Sequence, residues 1–77
     1  MHRINSQVAC VSPAPGLYRL YYKSRLIGEA VTAGGDAFHV SHLLSARERF
    51  VASLGDAANW LERIERAIAP APLKRMV

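Results

Sequence analysis

Arg47-Glu48-Arg49-Phe50-Val51-Ala52-Ser53-Leu54-Gly55-Asp56-Ala57-Ala58-Asn59-Trp60-Leu61-Glu62-Arg63-Ile64-Glu65-Arg66-Ala67-Ile68-Ala69 holds a strand-like run that breaks into one amphipathic helix. Residues 47–52 alternate as a half-buried strand should. Ser53 then supplies an N-cap hydroxyl, and Asp56 follows three residues later, where a carboxylate meets the positive end of the helix dipole. Leu54, Ala57, Ala58, Leu61, Ile64 and Ile68 recur at helical spacing, and Pro70 ends the run. Such a stripe must lie on something apolar. The preceding residues offer only a sheet.

Toward the N-terminus, Leu17 to Tyr22 is a strand rich in tyrosine and leucine. Lys23-Ser24-Arg25 is a tight polar break, and Leu26 to Thr32 returns as its hairpin partner. Gly34-Gly35-Asp36 turns the chain again, because glycine takes positive φ without strain. Ala37 to Leu44 is a third strand, Ser45-Ala46 a short turn, and Arg47 to Ala52 the fourth. The expected fold is α+β: a four-stranded antiparallel meander packed on one C-terminal α-helix. Residues 17–69 form this ββββα domain. Residues 1–16 are an extended lead-in in which Gln7 to Val11 offers an edge strand, stopped by Pro13-Ala14-Pro15-Gly16. Residues 70–77 are a Pro-rich basic tail.

Alternation assigns the faces. Tyr18, Leu20 and Tyr22, with Phe38, Val40 and Leu44 and with Phe50 and Ala52, are expected against the helix stripe. The second strand admits two registers. A three-residue turn places Leu26 and Ala30 inward and Glu29 opposite Arg19, a favourable cross-strand pair; a two-residue turn swaps the faces. The first is favoured. The face turned away from the helix then presents Arg19, Tyr21, Lys23, His39, Ser41, Arg47 and Arg49, with Arg25 beside Lys23 at the hairpin tip. Those seven basic or aromatic positions (Arg19, Tyr21, Lys23, Arg25, His39, Arg47 and Arg49) are the candidate partner-binding residues.

Seventy-seven residues suffice for one small domain, and 51% of them are hydrophobic, which excludes a disordered or collagen-like chain. The single cysteine, Cys10, cannot form an intramolecular disulfide and suits a reducing cytosol. The N-terminus lacks the pattern of a signal peptide, and no run reaches the roughly 20 apolar residues that span a bilayer. A bacterial host cytoplasm is therefore expected, with no membrane partner. A net charge of +4 permits an anionic partner without demanding one.

Catalytic chemistry finds little support. His39 and His42 are three apart on a strand and point to opposite faces, so they cannot share an ion, and no cluster completes a metal site. Cys10 has no neighbour in sequence to lower its pKa, and Ser53 is explained as a cap. Gly34-Gly35 precedes a strand, which is the wrong place for a phosphate loop. Glu29 and Glu48 are expected to pair with arginines, and Glu62 to Arg66 has the favourable i,i+4 order. The chain is read as no enzyme, with no cofactor. The basic outer face with its interleaved tyrosine suits single-stranded nucleic acid, and equally suits an ordinary solvated sheet. Trp60 lies at the shoulder of the helix stripe, where most tryptophans anchor a core edge and some centre an interface.

The hairpin from Tyr18 to Val31, the junction Phe50 to Asp56 with Trp60, and Arg63-Ile64-Glu65 with Ala67 give a layout that resembles small ββββα proteins of phages and mobile elements. It is most similar to type I anti-CRISPR proteins of comparable length. The likeness covers about two-thirds of the chain and is one of layout. It implies a non-enzymatic inhibitor docking on a CRISPR effector complex through its exposed sheet face. Many such inhibitors are acidic mimics of DNA; this chain is basic and would meet an acidic or mixed surface. The alternatives are a small basic nucleic-acid-binding module, similar to the arm-binding domains of phage integrases, and an accessory protein that homodimerises.

Overall fold

The hairpin at Lys23-Ser24 sets the architecture. Both residues adopt positive φ, +52° and +67°, and Tyr22 pairs with Arg25 across them. This is the two-residue turn whose twist matches that of the flanking strands. The computed structural model, which describes residues 2–4 and 7–68 (the side chains of 2 and 3 excepted), extends this hairpin in both directions. The strands are β1 (His2–Arg3), β2 (Val8–Ala14), β3 (Leu17–Tyr22), β4 (Arg25–Thr32), β5 (Phe38–His42) and β6 (Glu48–Val51), followed by α1 (Leu54–Ile68). All pairings are antiparallel and the order is β1-β2-β3-β4-β5-β6, a meander backed by one helix. The α+β class is as expected.

The sheet is larger than the four strands expected. Residues 8–14 form a full strand on β3, and the two-residue β1 lies outside it. Pro13 does not end β2, because Ser12 and Pro13 together oppose Tyr18 in a bulge where no ladder N–H is needed. The hydroxyl of Ser12 bonds the carbonyl oxygens of Ala14 and Leu17 (3.0 Å each) and holds that irregularity closed. The basic tail from Pro70 onward lies outside the described residues.

A second bulge reconciles the two registers open to β4. Leu20 pairs with Gly28 but Tyr21 pairs with Leu26, so Ile27 is an extra residue. Near the turn the faces follow the two-residue register, with Ile27 buried and Leu26 beside Tyr21. Beyond the bulge Ala30 is buried and Glu29 lies opposite Arg19, as the other register required. Leu26 is thus half-buried on the far side, and Ile27 takes the core position expected for it.

The core joins Val8, Cys10, Leu20, Tyr22, Ile27, Ala30 and Val40 to Ala57, Ala58 and Leu61 of α1, with Tyr18, Phe38, Val51, Leu54 and Trp60 around it. Tyr18 and Phe38 meet edge-to-face with centroids 5.9 Å apart. Beyond Leu26, three sheet residues expected inside are not, and Ile68, the last of the helix stripe, is 40% exposed. Leu44 is 72% exposed in the loop after β5, and Phe50 is 66% exposed; Ala52 is exposed as well. Leu44 lies beyond the end of β5 at His42, and for Phe50 and Ala52 the cause is a one-place shift in β6. Phe38 pairs with Val51 and His39 with Phe50, so Val51 turns inward and Phe50 outward. The longer connection, Leu43 to Arg47, with Ala46 at φ +61°, sets this register.

The helix begins as expected, with the Ser53 Oγ accepting the Asp56 N–H at 3.0 Å. It crosses the sheet over Gly28, where an added Cβ would stand 2.5 Å from the Ser41 carbonyl oxygen and 2.9 Å from both methyls of Leu61. Gly28→Ala must therefore push the helix or β5 away. Overpacking of this kind costs about 1–3 kcal/mol, and about 4–8 °C of Tm is lost per kcal/mol in a domain this small. Gly55→Ala, whose Cβ would meet only the Ser53 Oγ at 3.7 Å, should instead leave Tm unchanged or raise it. Thermal unfolding followed by circular dichroism compares the two directly.

Candidate functional site

Register determines which side chains share the open face. Leu17, Val31, His39 and Phe50 form one cross-strand row, and Val11, Arg19, Glu29, Ser41 and Glu48 form the next. Ala9, Tyr21 and Leu26 form a third. The first row is apolar and aromatic. The His39 and Phe50 rings sit 5.0 Å apart, and Val31 is 43% exposed. In the second row Arg19 pairs with Glu29 at 3.4 Å, while His39 Nε2 reaches across to Glu48 at 3.1 Å.

Of the seven residues proposed for this surface, Arg19, Tyr21 and His39 are on it. The other four are elsewhere. Lys23 stands at the hairpin tip over the ring of Tyr22, 5.3 Å from its centroid. Arg25 points to the helix side, bonding Glu65. Arg47 lies in the loop before β6. Arg49 pairs in register with the buried Val40 and so takes the helix side at the edge of the sheet. The expected basic face is instead charge-compensated, with an apolar row along it. The β6 shift that moved Phe50 outward moved Arg49 off the face by the same step.

The buried polar side chains lie on the opposite face, to which strand alternation already turns His42; Glu65 escaped the sequence reading. His42 is 1% exposed and Glu65 2%. Glu65 sits within the helix stripe, one residue beyond Ile64, and an acid on an apolar stripe was the available signal. Its Oε2 accepts from His42 Nε2 at 2.6 Å, and its Oε1 accepts from Arg25 Nη2 at 2.6 Å. On the other side of the imidazole, the backbone N–H of Ser45 donates to Nδ1 at 3.0 Å, and the Ser45 Oγ lies 2.9 Å from the same atom. Nδ1 therefore carries the lone pair and Nε2 the proton. The order Ser45, His42, Glu65 has the outline of a hydrolase relay. However, two donors from one residue converge on one lone pair, which makes it a lock on the 42–45 turn.

Burial opposes the charged form of Glu65, yet the bonds from His42 and Arg25, with the attraction of both groups, hold its carboxyl below the ordinary range. Burial raises the Cys10 thiol, which keeps it protonated and unreactive. Among the described residues no group of three His, Cys, Asp or Glu could hold a metal ion, and no helix is long and apolar enough to cross a membrane. Compared with protein-family models, curated proteins and solved structures, the chain matches none.

The lowered carboxyl pKa fixes the sign of the acid response. Stability from ionised Glu65 is fully present above the unfolded-state pKa, about 4.3, and is lost as pH falls through the lower folded-state value. Glu65→Gln should cost about 2 kcal/mol at neutral pH, because the charge-assisted bonds from Arg25 and His42 become ordinary amide bonds. The Tm gap between wild type and variant should narrow steadily below that pH in a series of melts. A gap independent of pH would show that the carboxylate is not ionised in the fold.

Proposed function

We propose that this chain is a non-enzymatic protein-docking module whose contact surface is the open face of the sheet. The observation that carries the reading is the row Leu17, Val31, His39, Phe50 lying uncovered beside paired charges. A phosphate backbone demands unpaired cations. Among the described side chains, the one arginine of the face is already held by Glu29, and Glu48 adds a second carboxylate. An exposed aromatic flanked by neutralised charges instead suits a protein surface, with Phe50 as the anchor to be buried and the ion pairs as a polar rim. The specific form carried by the layout is an inhibitor, acting in a bacterial cytoplasm, that docks on a type I CRISPR effector complex and is similar in kind to anti-CRISPR proteins.

The test mixes purified protein with a type I effector complex and measures target binding by that complex. Wild type should inhibit, and Phe50→Asp with Val31→Asp should abolish inhibition while retaining the wild-type Tm, since both side chains are exposed. The protein should show no affinity for a single-stranded oligonucleotide. Salt-dependent oligonucleotide binding with a log–log slope near about −3, the signature of about four phosphate contacts, would overturn the docking reading. Failure to inhibit would overturn the CRISPR form of it.

A further inference from the structure

The helix side of β6 carries a second surface, which adjoins the open face at Phe50. Between β6 and α1 runs a cleft of about 400 Å³ lined by Arg49, Val51, Trp60 and Arg63, with Asp56 and Asn59 along the helix. Arg47, Arg49 and Arg63 have no carboxylate partner among the described residues, whereas Arg19, Arg25 and Arg66 each have one. Asp56 belongs to the first turn of α1, where the helix dipole stabilises it. Arg63 is seven residues, about 10 Å, further along. The guanidiniums of Arg49 and Arg63 therefore leave an excess of positive charge beside the indole of Trp60.

Along the same cleft β6 is the last strand of the sheet, so its outer edge presents backbone N–H and C=O groups that no other strand pairs among the described residues. We infer that this edge and cleft together receive an extended acidic peptide segment of a partner protein, added to β6 as a further antiparallel strand. Backbone bonds to β6 would supply affinity. Alternate side chains, roughly 7 Å apart, would enter the cleft. Carboxylates at those positions reach Arg49 and Arg63, and an apolar side chain packs on Trp60 and Val51. A nucleic acid cannot continue the alternating N–H and C=O ladder of the strand edge. A second copy of this chain paired on β6 about Arg49 would set that arginine against its counterpart.

Trp60 is the sole tryptophan, so its fluorescence reports on the cleft. The probe is a capped eight-residue peptide of alternating glutamate and valine, titrated into the full chain at low ionic strength. Its controls are the same peptide with lysine for glutamate, one with two central prolines, and a single-stranded oligonucleotide. A saturable change in fluorescence with the acidic peptide is expected, and none with the lysine or proline peptides. Arg49→Gln and Arg63→Gln should each weaken the response about tenfold, at unchanged Tm. Four results would overturn the inference: no saturable response, equal binding of the proline peptide, tighter binding of the oligonucleotide, or a fluorescence change that depends only on protein concentration, which would mark self-association.

Discussion

The close approach of Leu61 to Gly28 is the contact on which the remaining structure depends. No Cβ fits between helix and sheet there, and the helix can settle that low only because Ile27 is an extra residue in β4. The bulge turns both Ile27 and Gly28 toward the helix, one as filler and the other as a gap. With α1 seated, Ala57 and Ala58 reach the sheet as small residues should in a tight interface, and Leu61 and Ile64 close the middle. The same seating carries Glu65 over the end of β5, within bonding distance of His42.

That ionic contact ties three parts of the chain that are distant in sequence: the β3–β4 hairpin through Arg25, the end of β5 through His42, and the last turns of α1 through Glu65. Each partner is satisfied, so the polar atoms need not seek water. The apolar contact is indifferent to small rotations of the helix, whereas the carboxylate is not. Packing brings α1 to the sheet, and the bonds fix its azimuth. The Ser45 donors extend the lock to the loop before β6, and that loop in turn decides which residues of β6 face outward.

Much of this was legible in the sequence. Helical spacing from Leu54 to Ile64, the Ser53 cap and the alternation of β3 and β5 each reflect a local rule with one dominant solution. The bulges were not legible, because Ile27-Gly28 in isolation reads as ordinary strand and only a helix passing overhead gives the glycine its purpose. The place of the β3–β4 turn was legible but its type was not, since Lys23 and Ser24 replace the asparagine and glycine that normally announce positive φ at both positions. The candidate surface suffered most. A single slip in β6 exchanged Phe50 for Arg49 and converted an expected basic face into an apolar row, as the twofold period of a strand dictates. Partnering of Arg19, Arg25 and His39 by carboxylates is set by tertiary geometry. Only the Arg19–Glu29 pair was visible beforehand, through its cross-strand register.

Because every strand pairs with its immediate neighbour in sequence, the sheet closes through short loops and has little entropic barrier to zippering. The element that covers its apolar side comes after all six strands. During synthesis from the N-terminus, β3 to β6 are therefore made while Val8, Leu20, Ile27 and Val40 still lack a roof. For that interval the nascent chain is a sticky ribbon, whose apolar side only the turns of α1 can cover.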